Sequence, residues 1–423
     1  MSSELQRVLD AGQLRTAFQP IVDLVTGEIA AFEALTRGPH GSPLERPDRL
    51  FAAARDEGLL GALDAACLAT AFANARRVGI GASTALFVNV EPRTLDRSLE
   101  FLDALEPGVR VVVELTEREL LARPADLLQT VALARRRGWA IALDDVGADP
   151  RSLALLPIVQ PDLVKLDLRL VQDQPDRHTA AIATAVQAEA ERSGMRILAE
   201  GVETEQQLQF ARSLGATFSQ GWLHGRPQEA PVVPEARAID LTVLRRGDTQ
   251  PAPAATPAQL VHPHRELREA TKPLLVQISR HLERQATAAG DTAIVLGTFQ
   301  HARYFEGASA RRYVDLGAAC AFVGAFAVDM PLAPAAGVRG GLLAPGDPLV
   351  GEWDVVVIGA HFAGALIAVD RGDAVPEPQR RFDYLVTYQR DVVQDLARSL
   401  LARIWPDLRD PALEASGLSA ATA

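Results

Sequence analysis

Cysteine is nearly absent from this chain: Cys67 and Cys320 are the two in 423 residues. They stand far apart, each inside an apolar segment, so a disulfide framework is excluded and both are expected as buried thiols. Positive charge is also short, since 43 Lys and Arg face 54 Asp and Glu for a formal net charge of -11. Loose binding to polymeric nucleic acid relies on cations that neutralise phosphates, and this balance argues against it. A phosphate-bearing ligand would need bound metal or a local basic group. Long apolar runs are missing too: the longest nearly uncharged stretch, Leu316 to Val328, stops at Asp329 and is too short to cross a bilayer. Met1 to Asp10 is polar and acidic, without the basic-then-apolar layout of a signal peptide. The expectation is a cytoplasmic protein with no membrane partner.

What is present is enough apolar material, 48% of the chain, for two cores. Between Arg245 and His264 the sequence turns Gly-, Pro-, Ala- and Thr-rich with no hydrophobic period, which predicts a linker. The expected division is a first domain over 1–240, a linker over 241–264, a smaller α/β domain over 265–410 and a flexible tail over 411–423. Before the linker, short apolar runs alternate with amphipathic helical patterns. The runs are 84–90, 111–115, 140–143, 163–166, 197–199 and 216–219; the helical stretches include 63–77, 124–137, 179–193 and 204–214. With strands at 14–23 and 28–36 this makes about eight strands in about 240 residues, which suits a closed barrel. The short turn around Val25-Thr26-Gly27 leaves room only for a hairpin. The fold class read from this is α/β, a modified (β/α)8 TIM-like barrel with one antiparallel strand, followed by a smaller α/β domain.

Polar residues stand at or just beyond the ends of the apolar runs: Glu33, Asn89, Glu114, Glu117, the pair Asp144-Asp145, Lys165, Glu200, Glu203 and Gln220. Asn89, Glu114, the Asp pair, Lys165, Glu200 and Gln220 follow one another at intervals of 20 to 35 residues. In such a barrel the C-terminal strand ends share one mouth, where chemistry concentrates. Several carboxylates and an amide oxygen are hard donors that suit Mg²⁺ or Mn²⁺. Two ions roughly 3.5 to 4 Å apart would stabilise the attacking and leaving oxygens of a phosphoryl displacement. Lys165 would offset part of the negative charge and hold the nucleophilic water or receive its proton. Any single Asp or Glu here could be a helix cap. Capping does not account for the whole set falling on successive strand ends.

Eight segments occur in order: F-Q-P-I-V (18–22), E-A-L-T-R (33–37), F-V-N-V (87–90), V-E-L-T-E (113–117), A-L-D-D-V-G (142–147), V-K-L-D (164–167), A-E-G-V-E-T (199–204) and Q-G-W-L-H-G-R-P (220–227). Together they resemble the EAL-domain cyclic di-GMP phosphodiesterases over roughly residues 5 to 235. The resemblance implies a two-metal hydrolase that opens cyclic di-GMP to 5'-pGpG. It implies Glu33, Asn89, Glu114 and Asp144 on the first ion, and Asp144, Asp145 and Glu200 on the second. It places Lys165 on the bridging water, Gln19, Leu35 and Arg37 against the ligand, Glu117 and Glu203 as braces, and Gln220 as a positioning residue. A homodimer is also implied. One stretch departs from the family: F-G-[TA]-G-Y-S-S-L usually follows the Asp pair, and here V-G-A-D-P-R-S-L stands at 146–153. Pro150 stiffens that loop, which is then either preset or miswired. The alternative to turnover is a receptor that holds intact cyclic di-GMP and signals through protein contacts; a scaffold using neither metal nor nucleotide is the third reading.

The second half predicts a helix over 264–285, a strand over 293–299, a helix over 308–318, strands over 321–328, 355–358 and 364–369, and a final helix over 380–404. Gly359 to Gly364 lacks the spacing of a nucleotide loop and reads as a turn. L-G-T-F-Q-H (296–301), Y-F (304–305), V-G-A-F (323–326) and D-P-L-V-G-E-W-D-V-V-V-I-G-A-H-F (347–362) resemble the DICT sensory domain. That resemblance implies signal input from a regulatory ligand or protein.

Overall fold

The computed structural model describes residues 3–81, 84–90, 109–116, 123–234, 255–261 and 265–404. The first half opens with α1 (Glu4–Asp10), β1 (Arg15–Asp23), β2 (Ile29–Arg37), α2 (Pro47–Asp56) and α3 (Leu60–Val78). Alternation then sets in: β3 (Ala85–Asn89), β4 (Arg110–Leu115), α4 (Pro124–Arg136), β5 (Ala140–Val146), α5 (Leu156–Val159), β6 (Leu163–Leu166), α6 (Leu168–Gln172), α7 (Arg177–Ser193), β7 (Arg196–Ala199), α8 (Glu205–Ser213) and β8 (Phe218–Gln220). The eight strands close in sequence order, with β1 antiparallel to both β2 and β8 and every other pair parallel. The β1–β2 turn is tight enough to need a left-handed residue, and Gly27 supplies it at φ 74°.

Helix ends follow local chemistry. Asp176 and Thr179 form a reciprocal capping box at the start of α7, and Thr204 and Gln207 form another at the start of α8. Their apolar faces pack on the outer faces of the strands, where residues such as Leu143, Val164, Ile182 and Val186 are almost wholly excluded from water. Each such Leu, Ile or Val contributes roughly 2 kcal/mol by leaving water. The two cysteines are buried free thiols, and burial pushes Cys67 up to about 12.

The second half has α9 (Pro257–Val261), β9 (Arg268–Thr271), α10 (Lys272–Ala289), β10 (Ile294–His301), α11 (Ala308–Ala319), β11 (Phe322–Val328), β12 (Arg339–Leu343), β13 (Glu352–Ile358), β14 (Ala363–Asp370), β15 (Arg381–Thr387) and α12 (Arg390–Leu401). The strands make one seven-stranded sheet in the order β12-β11-β10-β13-β14-β15-β9. One face packs beneath α10 and α11 through Leu275, Leu282, Tyr313 and Leu316. The other packs against α12 through Val393, Leu396 and Leu400, in an apolar cluster continuous with the outer layer of the barrel. Hydrogen bonds join the barrel to this unit: Arg398 Nε donates to Ile158 O at 2.8 Å, Gln160 Nε2 donates to Gln394 Oε1 at 3.0 Å, and Arg192 Nη2 donates to Ala360 O at 3.2 Å.

Three local expectations are corrected. The linker is not unstructured throughout: α9 lies inside it, with Thr256 and Val261 buried and the Ala258 N–H donating to Glu352 Oε2 at 2.9 Å. The helix expected from 264 begins at Lys272, because Arg268–Thr271 adds to the sheet edge beside β15. The helix expected over 380–404 is a strand followed by a helix, since Arg381–Thr387 pairs with β14 and only Arg390–Leu401 coils. Gly359 to Phe362 is the hairpin turn between β13 and β14, closed by Gly359 N donating to Phe362 O at 2.8 Å. Among the described residues no helix is long and apolar enough to cross a membrane.

Candidate active site

From β2 to β8 the strands repeat one two-step pattern. Ala31, Phe87, Val112, Ala142, Leu163, Leu198 and Phe218 meet in an apolar layer inside the barrel. Two residues further along each strand stand Glu33, Asn89, Glu114, Asp144, Lys165, Glu200 and Gln220. Side chains two apart on a strand share a face, so an apolar floor places a polar ring above it at the C-terminal ends. β1 runs the other way, and its ring member accordingly precedes the floor residue: Gln19 stands two before Ile21 and is register partner to Glu33.

Lys165 is at the centre of the ring, buried, with its Nζ 2.6 Å from Glu114 Oε1, 2.8 Å from Glu200 Oε1, 3.0 Å from Asp144 Oδ1 and 3.6 Å from Glu33 Oε1. One ammonium thus faces four carboxylates. Asn89 Nδ2 donates to Glu114 Oε2 at 2.8 Å and to Glu33 Oε1 at 3.4 Å. Gln220 Nε2 donates to Glu33 Oε2 at 2.6 Å and to Gln19 Oε1 at 3.2 Å, while Gln19 Nε2 reaches the Gly225 carbonyl at 3.3 Å. Burial drives Glu114 well above the usual carboxylate range, and the neighbouring Glu33 adds to the rise. Burial likewise pushes Glu200 up to about 8, against the lowering field of Lys165. Burial alone would lower Lys165, but the surrounding carboxylates outweigh it and hold the ammonium well above its ordinary value.

Asp144 and Asp145 both reach the mouth because β5 is irregular there: its register against β6 shifts between Leu143 and Val146, and Asp145 takes the left-handed conformation at φ 53°. Asp144, Asp145 and Glu200 each offer an oxygen within 4.8 Å of the others. An excess of converging carboxylate oxygen with a single lysine to balance it is the donor chemistry of a hard divalent cation. The residues present therefore fit the ion or ions expected from the sequence.

The following loop is ordered by its own side chains. The Asp149 carboxylate accepts from the Arg151 N–H at 2.9 Å and pairs with its guanidinium at 2.6 Å, capping a 3₁₀ turn over Pro150–Ala154. Ser152 Oγ and His178 Nε2 hold Gly147 at 3.2 and 3.0 Å.

Not every expected residue joins the ring. Leu35 and Arg37 continue the Glu33 face of β2 toward its end, half-buried, and Arg37 Nη1 donates to the Thr36 carbonyl at 2.8 Å. Glu203 is exposed at the entry to α8, its backbone N–H donating to Gln207 Oε1, with no contact between its carboxylate and the ring among the described residues. Glu117 lies outside the described residues. Two positioning glycines were missed by the sequence reading. A Cβ on Gly147, at φ 102°, would come within 2.3 Å of Leu170 Cδ1, and one on Gly201, at φ 66°, within 2.5 Å of Leu168 Cβ. The signal available was a glycine close behind each acidic position, in D-D-V-G and A-E-G.

The fold and the acidic mouth define a barrel protein of the kind that concentrates hard-cation chemistry at its strand ends. The EAL-domain family model matches residues 2–227, and the chain belongs to that family. Residues 257–371 match the sensory domain of diguanylate cyclases and two-component systems, DICT. Among similar curated proteins are the cyclic di-GMP phosphodiesterase NbdA of Pseudomonas aeruginosa, 32% identical over 54% of this chain and 30% of that protein, and RocR of the same organism, 30% identical over 56% and 62%. The chain spans less than two thirds of the length of these relatives. Of solved structures, the manganese and cyclic di-GMP complex of Klebsiella pneumoniae BlrP1 is 32% identical over 51% of this chain and 56% of that one, with a TM-score of 0.46.

Proposed function

We propose that the barrel hydrolyses cyclic di-GMP to 5'-pGpG with two Mg²⁺ or Mn²⁺ ions, and that the C-terminal unit regulates it. The observation that carries this reading is the ring itself, in which Lys165 faces four carboxylates while Asp144, Asp145 and Glu200 converge beside it. Family membership and the relatives named as cyclic di-GMP phosphodiesterases support the choice of substrate.

Glu33, Asn89, Glu114 and Asp144 would hold one ion, and Asp144, Asp145 and Glu200 the other. The ions when bound supply Lewis acidity to the phosphodiester and charge compensation for the attacking and leaving oxygens. Gln220 fixes the Glu33 carboxylate and Gln19 in one hydrogen-bonded line, so the edge of the mouth is set before substrate arrives. Arg37 presents a planar guanidinium beyond that line, suited to a phosphate. Lys165 holds its proton tightly while carboxylates surround it, so it orients the attacking water by donating a hydrogen bond. Glu203 and Glu117 remain braces in this proposal.

Regulation is supported by the seam between the two units. α12 bonds to Ile158 and Gln160, and α5 follows directly on the loop that descends from Asp145. A shift of α12 therefore has a short covalent route to the acidic pair. The receptor reading has one observation in its favour, the Asp149-capped loop that replaces the family's Gly-Tyr-Ser stretch.

The deciding experiment incubates cyclic di-GMP with the full-length protein in Mg²⁺, in Mn²⁺ and in chelator, with direct binding measured in the chelated sample. Metal-dependent pGpG is the expected result. Tight binding without product in either metal would replace the enzyme by the receptor.

A further inference from the structure

A cavity of about 260 Å³ lies far from the ring, in the C-terminal unit, between α10, α11 and the sheet. We propose that it binds a small aromatic carboxylate carrying a second polar group, inserted with its ring across the sheet and its carboxylate at the mouth.

The floor is aromatic. Phe299 and Tyr313 meet edge to face at 5.1 Å, and Trp353 meets Phe382 edge to face at 5.6 Å, all four lining the cavity. Such walls select a flat ring, which gains edge and face contacts beyond area burial. Gly297 makes the floor possible, since a Cβ there would stand 2.0 Å from the Tyr313 hydroxyl oxygen.

The buried end is polar and unsatisfied. Tyr313 is 1% exposed and Ser279 is 4% exposed; both line the cavity, and neither hydroxyl has a hydrogen-bond partner. Buried hydroxyls are ordinarily partnered, because desolvating one without a compensating hydrogen bond is unfavourable. Two of them lining one cavity, from α10 and α11, mark a place where a ligand group or water completes the pairing.

The mouth is cationic. Lys272, Arg280, Arg312 and Arg380 all line the cavity. Three are already held, Lys272 by Glu377, Arg312 by Glu283 at 2.8 Å, and Arg380 by Asp370. Arg280, exposed on α10, has no carboxylate partner among the described residues. One free guanidinium matches one carboxylate in number and in planar geometry, whereas a doubly charged phosphate would have to displace the existing ion pairs.

Binding stands on the cavity alone; any effect on turnover rests on the regulatory reading above. The test titrates the full-length protein calorimetrically with 6-hydroxy-2-naphthoate, 2-naphthoate and 6-hydroxy-2-naphthamide. The expected result is saturable one-to-one binding of the hydroxynaphthoate, with each analogue weaker by about tenfold, as loss of one charge-assisted or buried hydrogen bond requires. Arg280→Glu, at an exposed position, should weaken the two carboxylates and leave the amide unchanged. Ser279→Leu should abolish binding of all three, with circular dichroism confirming the fold. No saturable binding, or equal affinity for all three probes, overturns the proposal, as does undiminished binding in both variants. Binding that leaves cyclic di-GMP turnover unchanged supports the cavity and removes the regulatory reading instead.

Discussion

The barrel mouth and the sheet of the C-terminal unit both bury ionisable groups, and they do so by opposite means. At the mouth, Lys165 is surrounded by carboxylates that stay near it because each backbone is fixed by the barrel. In the sheet, Glu352 and Asp354 sit two apart on the same face of β13, under α12 and α9, where burial raises both and the field of Arg403 only partly offsets the rise at Glu352. Burial lifts Asp354 well above the usual range, with the Glu352 charge adding to it. Asp354 Oδ2 lies 3.4 Å from Thr298 Oγ1, and Glu352 accepts from the Ala258 amide. The first arrangement gathers carboxylates around a fixed ammonium, with raised Glu114 and Glu200 whose protons a divalent cation would displace; the second, among the described residues, has no such central cation and keeps its proton.

Removing a ring carboxylate should break this contrast most severely. Glu33→Ala or Asp144→Ala is expected to abolish metal-dependent formation of pGpG, and substantial residual activity in either would remove the two-ion assignment. Next comes Lys165→Ala, expected to lower turnover by roughly 100- to 10,000-fold with a far smaller change in nucleotide affinity. An equal loss in both, measured by steady-state kinetics beside direct binding, would make it a binding residue.

A pH titration sharpens the comparison. Glu200 has a folded pKa raised to about 8 from an ordinary 4.5, so the metal-free fold holds a proton that the unfolded chain releases. Its contribution is fully present below the unfolded value and is lost as pH rises through the folded one. The thermal unfolding midpoint in chelator should therefore fall as pH rises from about 5 to about 8, and saturating Mn²⁺ should flatten that slope by taking the proton's place. A slope that Mn²⁺ leaves untouched would assign it to Asp354 and the sheet.

The smallest effect is expected in the altered loop. Restoring Gly-Tyr-Ser at 149–151 removes the Asp149 cap and should cost about 1 kcal/mol of stability with no gain in turnover. A gain in turnover would show that the native loop is miswired and not preset.

The barrel and its ring were legible in the sequence because both obey the strand period: each floor residue is followed two positions later by its polar partner, and the order of the strands is the order of the chain. The sheet unit was harder to read. Its order, β12-β11-β10-β13-β14-β15-β9, brings Arg268–Thr271 to the edge beside a strand more than a hundred residues away. Nothing local signals that pairing, and helical periodicity in the flanking residues swallowed both β9 and β15. The 257–261 turn was hidden for a related reason: the contacts that bury Thr256 and Val261 come from distant segments, while the composition around them is that of a linker. In the acidic mouth the bulge at Asp144-Asp145 could be suspected from the adjacent pair, but its left-handed backbone depends on how β5 meets β6.

The seam under α12 also decides where this chain can be cut. The sensory-domain match ends at residue 371, one residue past β14. A chain ended there would lack β15, exposing the hydrogen-bonding edge of β14, and would lack α12, uncovering the barrel side around Leu155 and Ile158 together with the sheet face opposite. Open strand edges beside fresh apolar surface are a template for association. A fragment that keeps β15, α12 and the seam beneath it therefore runs to at least Ile404, well beyond the boundary that sequence similarity draws.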